Sequence, residues 1–198
     1  MRNTATYILI IIFIIIPSTL AGTNLVINGG FELPDVPYKE YEIYTSIPGW
    51  ITEYGFSLEI QDNVFTPSYE GQQLLELDGF ESSNILQDIS TASGSFYLFS
   101  FAYAGREGGT EGPGNNEIDV YWNDQLLEEL RTTTVHEWYL KEYIVQATSA
   151  ISRIKFNDVG NPNSTGGYLD AVSVVEIPEP TTLLLTGLGF LCCLRRKA

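Results

Sequence analysis

The sequence predicts an all-β protein, an antiparallel jelly roll or β-sandwich of about eight or nine strands. Three observations predict it. Short β-prone runs recur about every ten residues, separated by Gly, Pro, Asn and Asp, which is the spacing of hairpin-linked strands. Several runs alternate apolar and polar residues, the mark of a strand with one buried face. Between the two ends of the chain, no stretch demands a helix longer than a turn or two.

The expected strands follow in order: Leu25–Ile27, Ser57–Gln61, Gln73–Asp78, Ser95–Ala104, Glu117–Asn123, Trp138–Ala147, Ala150–Asn157 and Gly167–Val175. In the run from Ala150 to Phe156, Arg153 and Lys155 share one face while Ile154 and Phe156 share the other, so this strand is half buried. Tyr121 to Leu126 reads as a hairpin, because Asn123-Asp124 suits the positive φ of a tight turn. Gly105 to Asn116 is a long Gly-rich loop between two good strands. It lacks a Gly-Lys-Ser/Thr ending and is not a phosphate loop; its two readings are a surface loop and a rim that closes over a ligand.

The ends differ from the middle. Arg2 precedes an apolar run from Tyr7 to Ile16, then Pro17 and small residues, with Thr19-Leu20-Ala21 as the expected cut. This is the layout of a secretory signal peptide, residues 1–21, with an uncleaved anchor as the alternative. Residues 23–176 then form one domain of ordinary size. The chain carries 25 acids against 10 bases, a formal net charge of −15. Four of those bases, Arg2, Arg195, Arg196 and Lys197, lie in the ends, so the domain is more acidic still. Such a charge repels nucleic acid and anionic lipid, and suits divalent cations, cationic partners or solubility outside a cell. Both cysteines, Cys192 and Cys193, sit in the C-terminal apolar run, which leaves the domain without a disulfide.

Two stretches carry the strongest family signal. Asn24 to Glu32, ending Asn-Gly-Gly-Phe-Glu, is followed by Ile47-Pro48-Gly49-Trp50, and Gly167 to Val174 contains Tyr168-Leu169-Asp170. An early Asn-Gly-Gly-Phe-Glu and a late Tyr-Leu-Asp resemble the galactose-binding-like jelly rolls, including many carbohydrate-binding modules. The order of motifs is also similar to a plant cell-wall family of that type. The resemblance implies that first and last strands lie close together and share a structural calcium ion. Glu32 and Asp170 would supply carboxylates, with carbonyls near Asn28 and Gly30, since calcium takes hard oxygen ligands. The alternative is that Glu32 ends a strand and Asp170 accepts hydrogen bonds from a neighbouring turn. For a ligand, aromatic faces stack on sugar C–H faces. Trp50, beside a Pro-Gly turn, and Arg106, at the loop's start, are the candidates for an exposed binding rim.

Enzymatic readings are weaker. His136 is the sole histidine, no Gly-x-Ser-x-Gly elbow is present, and a carboxylate pair for glycoside hydrolysis depends on spatial separation that no motif supplies. The expectation is a protein that is not an enzyme.

The C-terminal segment 177–198 begins Ile177-Pro178-Glu179-Pro180, continues with the apolar run 181–194 and closes on Arg195-Arg196-Lys197. As a helix the run reaches about 21 Å, short of a hydrocarbon core of about 30 Å. The basic cap sets its orientation. This order resembles the PEP-CTERM sorting signal, with Ile177 where valine is frequent. The resemblance implies recognition by an exosortase, transient residence of a single transmembrane helix in the inner membrane, and a destination at the cell surface or extracellular matrix. The expected function is binding of carbohydrate, an exopolysaccharide of a biofilm matrix; the alternatives are a structural matrix protein without a defined ligand and a glycan-active enzyme. No nucleic-acid partner is expected.

Overall fold

A computed structural model describes residues 22–107, 116–132 and 134–178. Ten strands form: β1 (Tyr41–Tyr44), β2 (Leu58–Asp62), β3 (Gln73–Glu76), β4 (Asn84–Ser90), β5 (Phe96–Ala104), β6 (Ile118–Trp122), β7 (Gln125–Leu130), β8 (Trp138–Gln146), β9 (Ile151–Asp158) and β10 (Tyr168–Ile177). They build two antiparallel sheets, a six-stranded one in the order β1-β2-β3-β10-β5-β8 and a four-stranded one in the order β4-β9-β6-β7. This is the expected all-β sandwich. Among the described residues no helix is long and apolar enough to cross a membrane. The expected signal peptide 1–21 and helix 181–194 lie outside the described residues.

Period-two patterning decides what each strand buries. On β5, Tyr97, Phe99, Phe101 and Tyr103 point between the sheets, where Phe101 meets Phe156 of β9 edge-on at 4.9 Å. On β9, Ile154 and Phe156 are fully buried and Arg153 and Lys155 face outward, the division that alternation predicts. The β6–β7 hairpin turns through Asn123 and Asp124, with φ of 49° and 61°. Positive φ at both central residues matches strand twist, and Asn and Asp tolerate it.

Three elements depart from expectation. β1, β4 and β7 have weak or mixed patterns in sequence; β4 is fixed by full pairing with β9, Asn84 to Ser90 against Asn157 to Ile151. Conversely, Leu25–Ile27 is not a ladder strand. Leu25 donates to the Val174 carbonyl, but Asn24 takes over the neighbouring ladder positions, its amide donating to Val172 O and its Oδ1 accepting from the Val174 and Val26 amides. A side chain thus substitutes for main-chain pairing along the second half of β10. β10 itself shifts register between Asp170 and Ser173, with Ala171 at a φ of 52°. This bulge places Asp170 opposite Ala102, on the outward side of the six-stranded sheet.

Candidate functional site: an aromatic rim around Arg106

The outward side of the six-stranded sheet is not a plain solvated face. Leu58, Ile60 and Leu75 enter the main core, so their neighbours Glu59, Gln61, Leu74 and Glu76 point outward. There Leu74, Ala104 and Tyr168 form a second small apolar cluster, with the half-buried Trp138 packed against it.

Polar groups lie beside that cluster. Gln61 donates to both Glu59 Oε1 (2.7 Å) and Glu76 Oε2 (2.8 Å), and the Gly166 amide donates to Glu76 Oε1 (2.7 Å). Arg106 closes the network with an ion pair to Glu76 and a second contact of 3.6 Å to Glu59. Burial raises the Glu76 carboxyl well above its ordinary range, while Arg106 draws it down and Glu59 adds to the rise. Burial likewise raises Glu59. The guanidinium is what makes two adjacent buried carboxylates tolerable.

The loop from Asn63 to Gln72 lies over this sheet and carries the aromatics. The Arg106 guanidinium sits 4.3 Å from the Phe65 ring centroid, a cation–π arrangement. Tyr69 meets Trp138 edge-on at 6.0 Å, and Trp138 Nε1 donates to Pro67 O at 3.0 Å. Phe65 and Tyr69 remain 47% and 45% exposed, so their rings are available to a ligand. Side chains distant in sequence hold the loop. Asp170 Oδ2 accepts from the Tyr69 and Glu70 amides at 2.8 and 3.0 Å, and Glu32 Oε1 accepts from the Gln72 and Gln73 amides at 2.8 and 3.1 Å. Gly71, at φ 61°, lies where a side chain would meet Glu32 Oε1, so glycine is required at this turn.

Of the two residues expected at an exposed rim, Arg106 lies beside these rings with its side chain 13% exposed. Trp50 does not: it is 3% exposed, packs against Phe31 and Phe156, and donates from Nε1 to Asn28 O at 3.1 Å. Its Pro-Gly turn folds the ring inward, as Gly49 approaches Ile27 too closely for any side chain to stand there. Sequence reasoning missed Phe65, Tyr69 and Trp138; the signal available was Trp138 opening an alternating strand beside the Gly-rich loop.

Of the four residues assigned to calcium, Glu32, Gly30 and Asp170 come together and Asn28 does not join them. The Asn28 carbonyl accepts from Phe31 N and Trp50 Nε1, and its side chain is spent on Leu33 and Pro48. A further carboxylate does join: a side chain at Gly30 would stand 3.1 Å from Glu70 Oε1 and 3.9 Å from Asp170 Oδ1. Burial pushes Asp170 up to about 7, three backbone amides pull it back, and the Glu70 charge raises it further. Among the described residues no group of three or more His, Cys, Asp or Glu side chains is arranged to hold a metal. Asp170 Oδ1 and Oδ2 and Glu32 Oε1 are instead taken up by backbone amides of Ala171, Tyr69, Glu70, Gln72 and Gln73.

The fold is an antiparallel β-sandwich that solved carbohydrate-binding modules share. A family 16 carbohydrate-binding module superimposes with a TM-score of 0.50 and 16% identity over 77% of this chain and 100% of the module. A family 61 module, TmCBM61, solved in complex with beta-1,4-galactotriose, does so with a TM-score of 0.51 and 16% identity over 78% and 99%. The relation to both is one of fold. Residues 176–197 match the PEP-CTERM protein-sorting motif, so the chain carries that signal at the place where the sequence predicts it. Of these residues, Glu179, Pro180, Arg195, Arg196 and Lys197 lie outside the described residues, and Pro178 closes them. The chain is also 30% identical over 109 residues to Protein TEEBE of Arabidopsis thaliana, a stretch that is 50% of this chain and 30% of that relative.

Proposed function

We propose that the domain is an exported, non-catalytic carbohydrate-binding module of the extracellular matrix, delivered through its PEP-CTERM tail by an exosortase after a transient stay in the inner membrane. The observation that carries this reading is the Phe65–Tyr69–Trp138 rim around Arg106. Aromatic rings offer faces for pyranose C–H surfaces, and the partly exposed Arg106 guanidinium offers donors for hydroxyls. A structural calcium ion belongs to the same proposal. Glu32, Glu70 and Asp170 would hold it, and its charge would lock the Asn63–Gln72 loop that presents Phe65 and Tyr69.

The test is a glycan array on residues 23–177, with Trp138→Ala and Arg106→Ala as comparators. Retention of a polysaccharide by the unaltered domain and its loss in both variants supports the reading. Silence across the array favours a matrix protein without a defined ligand, and release of shortened products favours an enzyme.

A further inference from the structure

The end of the sandwich opposite the rim has its own character. β10 runs from Tyr168, beside Ala104 and the rim, to Ile177, which pairs with Phe96 at the start of β5. β8 runs antiparallel to β5 over nine residues, from Trp138 to Gln146, so the two ends of this sheet are separated by about 27 Å.

At the Ile177 end, two loops close on each other. Thr91 N donates to Ala150 O, Gly94 N to Ala147 O and Ala147 N to Ser95 O, each at 2.8–3.0 Å, and Ser93 Oγ donates to Thr148 O at 3.1 Å. In a chain with 25 acids, no charged residue occurs from Ile89 to Gly105 or from Tyr143 to Ser152. The charges at the margin are largely matched: Arg153 with Asp88 at 2.7 Å and Lys155 with Asp124 at 3.1 Å, with Glu176 a further exposed acid. The uncharged end instead displays Phe96, Ile144 and Ile151 at 42%, 72% and 60% exposure.

The chain leaves the domain at this end. Only Pro178, Glu179 and Pro180 stand between Ile177 and the run that begins at Thr181. An extended chain spans at most about 3.6 Å per residue, so Thr181 lies within about 14 Å of Ile177. If that run enters a bilayer, the end of the sandwich is held at the headgroups. Elsewhere on this acidic domain, contact of that kind would desolvate carboxylates.

We propose that the surface formed by Thr91–Phe96, Ile144 and Ala147–Ile151 rests on the lipid bilayer while the tail is inserted, directing the Phe65–Tyr69–Trp138 rim away from the membrane. The inference rests on the reading of the tail as a membrane segment. Phe96, Ile144 and Ile151 enter the interface, and the hydroxyls and backbone of the two loops meet the zwitterionic headgroups without a charge to dehydrate.

The experiment uses the full chain reconstituted in phosphatidylcholine vesicles containing spin-labelled phosphatidylcholine as quencher. Fluorophores are placed at Ser93→Cys or Asn161→Cys in a Cys192→Ser, Cys193→Ser background. In a separate arm, the native Cys192 and Cys193 are labelled to report insertion of the tail. The expected result is quenching at position 93 several-fold stronger than at position 161, reduced by Phe96→Asp with Ile144→Asp. If the tail label is quenched and positions 93 and 161 respond alike, the domain is freely tethered and the surface proposal alone is overturned. If the tail label is not quenched, the membrane reading fails and the proposal falls with it.

Discussion

Glu32 and Asp170, which lie near opposite ends of the domain, accept hydrogen bonds from the same turn: Glu32 from the Gln72 and Gln73 amides, Asp170 from those of Tyr69 and Glu70. Between them the two carboxylates fix four of the five consecutive backbone donors from Tyr69 to Gln73, and so fix the loop that presents the rim.

The first prediction concerns calcium at this clamp. A ligand that binds only the folded state stabilises it by about 2.7 kcal/mol at a hundredfold excess over Kd. For a domain of this size that corresponds to a Tm increase of about 5–10 °C. Thermal melts in calcium and in EDTA should differ by that amount, and Asp170→Asn should abolish the difference. Coincident melts of the unaltered protein would remove the metal and leave the turn-clamping role alone.

Trp50 and Trp138 should separate stability from binding. Trp50→Ala removes a buried ring that touches Phe31 and Phe156, and should cost about 3–5 kcal/mol in urea unfolding. Trp138→Ala removes a half-buried ring at the rim, and should cost far less stability while retardation in polysaccharide gels is lost. Equal stability losses, or retained retardation in the Trp138 variant, would contradict the assignment.

The ion pair of Arg106 with Glu76 carries a third prediction. Removing one partner of a buried pair leaves an uncompensated charge, at a cost of about 3–5 kcal/mol. Arg106→Ala should show this penalty at pH 8 and less of it at pH 5, because the stranded Glu76 can take a proton. Glu76→Gln keeps an acceptor for Gly166 N and removes the charge, so its penalty should be smaller. Denaturant midpoints at the two pH values measure both.

Much of this architecture was legible in sequence, and the exceptions have physical causes. β9 declared its buried face through Ile154 and Phe156, and the Asn123-Asp124 turn declared itself through residues that tolerate positive φ. β4 did not, because its pairing comes from the distant β9, and β7 did not, because its own residues alternate poorly although it pairs with the adjacent β6. Leu25–Ile27 looked like a strand because backbone propensity is local, whereas replacement of its ladder by the Asn24 side chain depends on where β10 lies. Trp50 and Trp138 were indistinguishable by composition; the fold decides which ring is enclosed. Arg106 at the mouth of a Gly-rich loop is a local feature of the sequence, but its carboxylate partners on β2 and β3 are not.

A fourth prediction follows from Asp158, which is 2% exposed and whose Oδ1 accepts from Gly160 N. Burial pushes its carboxyl up to about 6 from 3.8, and Asp78 contributes in the same direction. Because the folded-state value is the higher one, the folded protein holds the extra proton, and stability falls as pH rises from about 4 through about 6. Glu59 and Glu76, also raised, act with the same sign. Tm should therefore be higher at pH 5 than at pH 8, and Asp158→Asn should flatten that slope while keeping the acceptor for Gly160. A Tm that climbs from pH 5 to pH 8 would contradict the sign.

The last prediction concerns the tail. A sorting signal differs from an anchor in that it is removed, and the order of groups in 176–197 suits removal. Proline at 178 and 180 disfavours helix at the point where the chain leaves β10, which offers an extended segment to a protease active site. As a helix the apolar run would be short for a permanent span, and the basic triplet would hold its end on one side of a membrane. Protein recovered from cells that process it should therefore lack Cys192 and Cys193 by intact-mass spectrometry. Glu179→Ala should leave the full-length chain in the membrane fraction, with the domain's Tm unchanged because the substitution lies beyond the last strand. Full-length mass in the mature, unaltered protein would make the tail a simple anchor.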